Sequence, residues 1–152
     1  MPDKLRLWQE QRSIRTGLLE LEITESSMML DPELALALLQ ELRCAGAALY
    51  VDDFGTGYSS LSYLQKLPVD YIKIDQSFVM NMSQDKDSAM IVKSTIELVH
   101  DLGRLVVAEG VESAEDWQSL REMGCDFAQG FFIASPMPAE EFVAWTSSFR
   151  AP

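Results

Sequence analysis

Apolar residues along this 152-residue chain follow two alternating patterns. Short runs rich in β-branched and aromatic residues read as strands. They are separated by longer segments in which leucine, isoleucine and valine return every three or four positions, the period of a helix. The strand-like runs are residues 18–24 (LLELEIT), 48–52 (ALYVD), 70–74 (DYIKI), 105–109 (LVVAE) and 126–133 (DFAQGFFI).

The helices carry their own punctuation. Asp31-Pro32-Glu33 is an N-cap followed by proline at the first helical position. Behind it Leu34, Leu38, Leu39 and Leu42 share a face, and Gly46 stops the helix. A short helix holds Leu61 and Leu64 and is cut off by Pro68. Residues 81–87 read as a loop, followed by a helix over about residues 88–102. Ile91, Thr95, Leu98 and Leu102 line one face of it, and Gly103 sits at the C′ position. Ser113 and Asp116 resemble a capping box, with aspartate in place of the usual glutamate, in a helix that ends at Gly124. A last helix begins near Pro138 and is expected to bury Phe142, Val143 and Trp145.

Strands alternating with helices imply an α/β fold with a parallel sheet and right-handed crossovers. The runs are apolar at most positions, as in strands covered on both faces. An open doubly wound sheet and part of a barrel both fit this pattern. The chain is shorter than the roughly 250 residues of a complete (β/α)8 barrel.

Charge narrows the partners. Twenty-four acidic and 12 basic residues give a net charge of -12. That balance argues against binding duplex DNA or RNA, which takes Lys and Arg to neutralise phosphates, and against contact with an anionic membrane surface. A phosphate ligand stays compatible if divalent cations bridge the like charges. Cys44 and Cys125 have no metal-binding spacing and fit a reducing cytoplasm. The polar, interrupted N-terminus is not a signal peptide, and no apolar run approaches bilayer-spanning length.

Polar residues gather near the C-terminal end of every strand-like run. These are Glu22 and Glu25, Asp52 and Asp53, Lys73 and Asp75, Glu109 and Glu112, and Gln129 within the fifth run. In parallel α/β folds that end is the active-site face. Carboxylates crowded there repel one another unless a hard divalent cation, Mg2+ or Mn2+, neutralises them. Adjacent carboxylates such as Asp52-Asp53 suit a two-metal site, and a nearby lysine can orient water or screen phosphate charge. Each element also has an ordinary structural reading. Asp-Asp before a glycine is common turn chemistry, Lys73 and Asp75 could form a simple ion pair, Glu112 could be a solvated helix-entry charge, and His100 needs no catalytic role.

Together the segments LEITES, VDDFGTGYSSLSYLQKLPVDYIKID, VVAEGVE and GCDFAQGFFIASPMP occur in one order. They resemble the EAL family of cyclic di-GMP phosphodiesterases, from about Leu18 to Trp145. The resemblance implies a (β/α)8 barrel of which this chain matches the latter five strands. Residues 1–17 then form a helix remnant and lead-in, and residues 18–152 the C-terminal part of the barrel domain. It implies that Glu22 and Asp52 are ligands of one divalent ion. Asp52 is shared with a second ion that Asp53 binds, with Asp75 close by and Glu109 as a further carboxylate of the centre. It implies that Lys73 holds or activates the attacking water and that Gln129 lines the pocket. Glu25 and Glu112 are implied as supporting residues, Glu25 steadying the loop from Phe54 through Gly55, Thr56 and Gly57 to Ser60, a loop linked in the family to metal binding and dimerisation.

The Glu-Ala-Leu signature and an asparagine on the strand after it are absent, and with them two metal ligands. The expectation is therefore a truncated phosphodiesterase module with a weakened metal site. The alternative is a non-catalytic module that binds protein or nucleotide. Unpaired strands at both edges predict a homodimer or higher oligomer.

Overall fold

The computed structural model describes residues 2–57 and 61–150. Five parallel strands form one sheet in the order β1-β2-β3-β4-β5: β1 (Glu20–Thr24), β2 (Ala48–Phe54), β3 (Tyr71–Ile74), β4 (Leu105–Glu109) and β5 (Phe127–Gln129). Each strand pairs with the next in sequence. A doubly wound sheet reverses direction at a switch point, whereas here the order runs one way, as in the arc of a barrel. Among the described residues no ladder joins β1 to β5.

The helices are α1 (Pro2–Arg12), α2 (Glu25–Leu30), α3 (Pro32–Cys44), α4 (Leu61–Leu64), α5 (Gln76–Val79), α6 (Lys86–Asp101), α7 (Ala114–Glu122) and α8 (Ala139–Ser148). The Asp31 carboxylate accepts from Leu34 N and caps α3. Gly103 takes φ +70 directly after α6, and Arg104 N donates back to Val99 O, closing the predicted glycine stop. The Ser113 hydroxyl accepts from Asp116 N to start α7.

One hydrophobic cluster lies between the helices and a single face of the sheet. Leu49 and Val51, Ile72 and Ile74, and Val106 and Ala108 from the strands meet Leu39 and Leu42 of α3, Val92, Ile96 and Val99 of α6, and Leu120 of α7. Period-two alternation therefore sends Glu20, Glu22, Tyr50, Asp52, Tyr71, Lys73, Val107 and Glu109 to the other face.

Several expectations change. The fifth strand is Phe127–Gln129 rather than residues 126–133, because Ile133 N and Ala134 N turn back onto Gly130 O. The buried face of α6 is Ser88, Val92, Ile96 and Val99, one position on from the predicted stripe, and Ile91 is exposed. The Asp85 side chain caps α6, which begins inside the expected 81–87 loop. Leu34 is exposed on α3, where Ala35 takes its place in the core. α8 buries no residue, and Phe142 and Val143 stand open to solvent. Amphipathic spacing alone leaves a helix free to rotate by one residue, and packing on the sheet decides which face of α3 and α6 is buried. Among the described residues, no helix is long and apolar enough to cross a membrane.

Candidate metal centre

The site begins with a bulge. Val51 pairs with Ile72 and Phe54 with Ile74, so three steps on β2 match two on β3. The extra residue lies in Asp52-Asp53, opposite Lys73. In a regular strand consecutive side chains point to opposite faces. A bulge re-aims one of them, and Asp53 takes φ +55 to do so. As a result Asp52, Asp53 and Glu109 each offer a carboxylate oxygen within 4.8 Å of the others. Asp53 N donates to Asp52 Oδ1 at 3.1 Å, which fixes the turn between them.

Lys73 occupies the centre of the open face. Its Nζ lies 2.7 Å from Glu109 Oε1, 2.9 Å from Glu22 Oε1 and 3.0 Å from Asp52 Oδ1. Its side chain is 7 % exposed, against 51 % for Glu22. An ammonium has three N–H donors, and all are engaged by carboxylates from β1, β2 and β4. Burial by itself would lower the Lys73 ammonium, but the bonds to Glu109, Glu22 and Asp52 outweigh it and raise Lys73 above its ordinary value. The Asp53 carboxyl is pushed up, first by lost hydration and then by the neighbouring charges of Asp52 and Asp75.

The supporting residues fall around this centre. Glu25 is 2 % exposed at the start of α2. One of its oxygens, Oε2, accepts from Gly55 N at 3.0 Å and Gly57 N at 3.2 Å. A Cβ on Gly57 would lie 2.9 Å from the Glu25 carboxyl carbon, so a side chain there would push the Glu25 carboxylate aside. Thr56 folds back through its hydroxyl to Asp53 O at 2.8 Å. Phe54 is the last residue of β2 and packs against the core. The remainder of the predicted loop, residues 58–60, lies outside the described residues. Asp75 caps α5 by accepting from Ser77 N and Ser77 Oγ, with its charge felt at Asp53. Glu112 and Gln129 line a cavity of about 220 Å3 beside Glu109. The simple Lys73–Asp75 ion pair does not form; Lys73 instead takes Glu22, Asp52 and Glu109.

Sequence reasoning missed the aromatic floor of the open face. Tyr50 and Tyr71 stack at 4.2 Å, and Phe127 meets Tyr71 edge-on at 5.8 Å. Burial and a hydrogen bond to Glu20 raise the Tyr50 hydroxyl above its ordinary value. These residues line a cavity of about 320 Å3 with Glu22, Lys73 and Gln129. The signal was present as period two: Tyr50 precedes Asp52, Tyr71 precedes Lys73 and Phe127 precedes Gln129, each two positions apart. A larger cavity, about 800 Å3, opens at the opposite end of the strands beside Arg43 and Asp70, away from the carboxylates.

An oxygen-only donor set of this kind suits a hard divalent cation. Lys73 Nζ and Asp53 N both meet Asp52 at Oδ1, and Asp53 brings its carboxylate to the same point. The residues present therefore fit such an ion.

Known proteins align with this arrangement. The sequence model of the EAL domain matches residues 1–136. The chain is 40% identical over 148 residues to the cyclic di-GMP phosphodiesterase NbdA of Pseudomonas aeruginosa, covering 97% of this chain and 19% of that protein. The EAL domain of Mycobacterium smegmatis DcpA superposes with a TM-score of 0.92 at 36% identity, over 99% of this chain and 67% of that one. Klebsiella pneumoniae BlrP1, in a manganese and cyclic di-GMP complex, superposes with a TM-score of 0.82 at 35% identity, over 88% of this chain and 34% of that one. The chain spans a fifth or less of the length of the curated relatives it matches. With the match running through the bulge, the lysine and the carboxylates around it, this chain belongs to the EAL domain family.

Proposed function

We propose that this chain is part of a metal-dependent phosphodiesterase module that opens cyclic di-GMP to linear pGpG, with Mg2+ or Mn2+ as cofactor. The observation that carries this reading is the grouping of Asp52, Asp53 and Glu109 around the buried Lys73. Kinship with NbdA and with the manganese and cyclic di-GMP complex of BlrP1 supports it. In this reading residues 18–152 are the C-terminal five strands of the barrel domain, and residues 1–17 lead into them.

The assigned metal ligands are Glu22, Asp52, Asp53, Asp75 and Glu109. Bound divalent ions would neutralise the phosphate and lower the pKa of the attacking water. Lys73 holds Glu109 and Asp52 in place and presents positive charge where charge develops on the phosphoryl oxygens. Water adds at phosphorus, one P–O3′ bond breaks, and the leaving oxygen takes up a proton. Gln129 lines the pocket, and Glu25 fixes the Gly55–Gly57 backbone that carries Asp53. The two free cysteines accord with a cytoplasmic setting.

Incubation with cyclic di-GMP and Mn2+, followed by chromatography, tests this. Linear product that requires both Mn2+ and Asp52, lost in Asp52→Asn, is the expected result; product independent of either one overturns the assignment.

A second reading, a non-catalytic interaction module, is favoured by the exposed apolar side chains of α8 and by the outer edges of β1 and β5, which pair with no strand among the described residues. These same features favour a homodimer or larger assembly. A monodisperse monomer at micromolar concentration in light scattering argues against assembly.

A further inference from the structure

The three N–H donors of Lys73 are directed at carboxylates on three different strands, at 2.7, 2.9 and 3.0 Å. Two of those carboxylates, Asp52 and Glu109, are also two of the three that converge with Asp53 within 4.8 Å. Ammonium and metal therefore draw on the same groups. Asp52 Oδ1 already accepts from both Lys73 Nζ and Asp53 N, so a divalent ion must use its other oxygen or displace one of these donors. We infer that Lys73 is an internal counter-ion that competes with the divalent cation for this cluster, so that its charge sets how tightly the site takes metal. This inference rests on the metal-dependent reading given above.

Two roles for the lysine make opposite predictions. If Lys73 only aligned the carboxylates, removing it would disorder them and weaken metal binding. As a competing cation on the same carboxylates, it would repel a bound ion and occupy its ligands. Removing its charge then strengthens binding. Unit charges about 4 Å apart interact strongly enough, even in the partly screened interior of a protein, for an effect of at least about tenfold. Glu22, Asp52 and Glu109 approach the ammonium from β1, β2 and β4, and among the ion pairs of the described residues no other cationic side chain contacts these three.

The test is titration of Mn2+ alone, by calorimetry and by thermal shift, into the whole chain and into Lys73→Met, Lys73→Arg and Asp52→Asn. Methionine keeps the length of the stem and loses the charge; arginine keeps the charge. The expected result is a lower melting temperature for Lys73→Met without Mn2+, a larger rise on adding it, and a Kd at least about tenfold tighter than wild type. Lys73→Arg stays near wild type. If Lys73→Met is unfolded without metal, recovery of its circular dichroism on adding Mn2+ supports the inference, and failure to recover overturns it. Equal or weaker Mn2+ binding by folded Lys73→Met, beside a wild type that binds, overturns the counter-ion role alone. No Mn2+ binding by any variant overturns the metal-dependent reading, and the inference with it.

Discussion

At the N-terminal end of the sheet, charged side chains bond to backbone. Arg104 is buried and donates to Leu64 O, Gln65 O and Leu67 O. Asp70 accepts from Leu49 N while pairing with Arg43, and Asp126 accepts from both Val106 N and His100. The last two repeat one device: an aspartate just before a strand caps the second residue of the neighbouring strand. At the C-terminal end the arrangement is the reverse. Glu22, Asp52 and Glu109 share a single ammonium, and Asp53 is held beside Asp52 by a bulge at positive φ. One end satisfies its charges within the chain and secures the fold. The other concentrates like charge, and the Asp53 carboxyl is raised by its neighbours Asp52 and Asp75 after lost hydration.

This contrast can be broken by mutation. The largest effect on folding belongs to Arg104→Met, which strands three carbonyls that a buried guanidinium now serves. We expect a loss of about 3 kcal/mol in urea unfolding, with Mn2+ affinity of the folded protein unchanged. An altered affinity would mean that the two ends are coupled. Glu25→Ala comes next. It removes the acceptor for Gly55 N and Gly57 N and costs about 2 kcal/mol. Because those amides fix the loop after Asp53, Mn2+ binding weakens as well, which separates this variant from Arg104→Met.

Asp126→Asn keeps an acceptor for Val106 N but weakens the bond to His100. The expected cost is about 1 kcal/mol, again without change in metal affinity. The smallest effect has the opposite sign. Asp53→Asn removes one of the crowded charges, and asparagine tolerates the positive φ of that position. Since the Asp53 carboxyl is raised above its ordinary 3.8, the folded state holds this proton more tightly than the unfolded one. That contribution is present below about pH 3.8 and is lost as pH rises through the raised value. The melting temperature of Asp53→Asn should therefore exceed that of wild type slightly at neutral pH, with a margin that shrinks in acid, while its Mn2+ affinity falls. A variant that melts lower than wild type at pH 7 would show that Asp53 is not under repulsive strain.

The strand and helix boundaries were legible where chemistry is local. Asp31 before Pro32 caps α3 and Gly103 ends α6 because capping depends on residues a few positions apart. The polar residues at strand ends were legible too, since parallel strands must deliver their C-termini to one side. The buried faces of α3 and α6, and the exposure of α8, were not. Leu34 and Ile91 are exposed although they fit an apolar stripe, because a helix turns to suit the sheet beneath it. α8 buries no residue, and Phe142 stays exposed.

What the sequence determined by itself was the five strands, their parallel pairing, the longer helices and the residue types at the C-terminal rim, because periodicity, caps and motifs are properties of neighbouring positions. Tertiary structure alone decided the bulge that brings Asp52 and Asp53 to one point and the choice of Glu22, Asp52 and Glu109 over Asp75 as partners of Lys73. Each of these depends on the register between strands 20 or more residues apart. A shift of one residue there sends a side chain to the opposite face, and no local pattern fixes it.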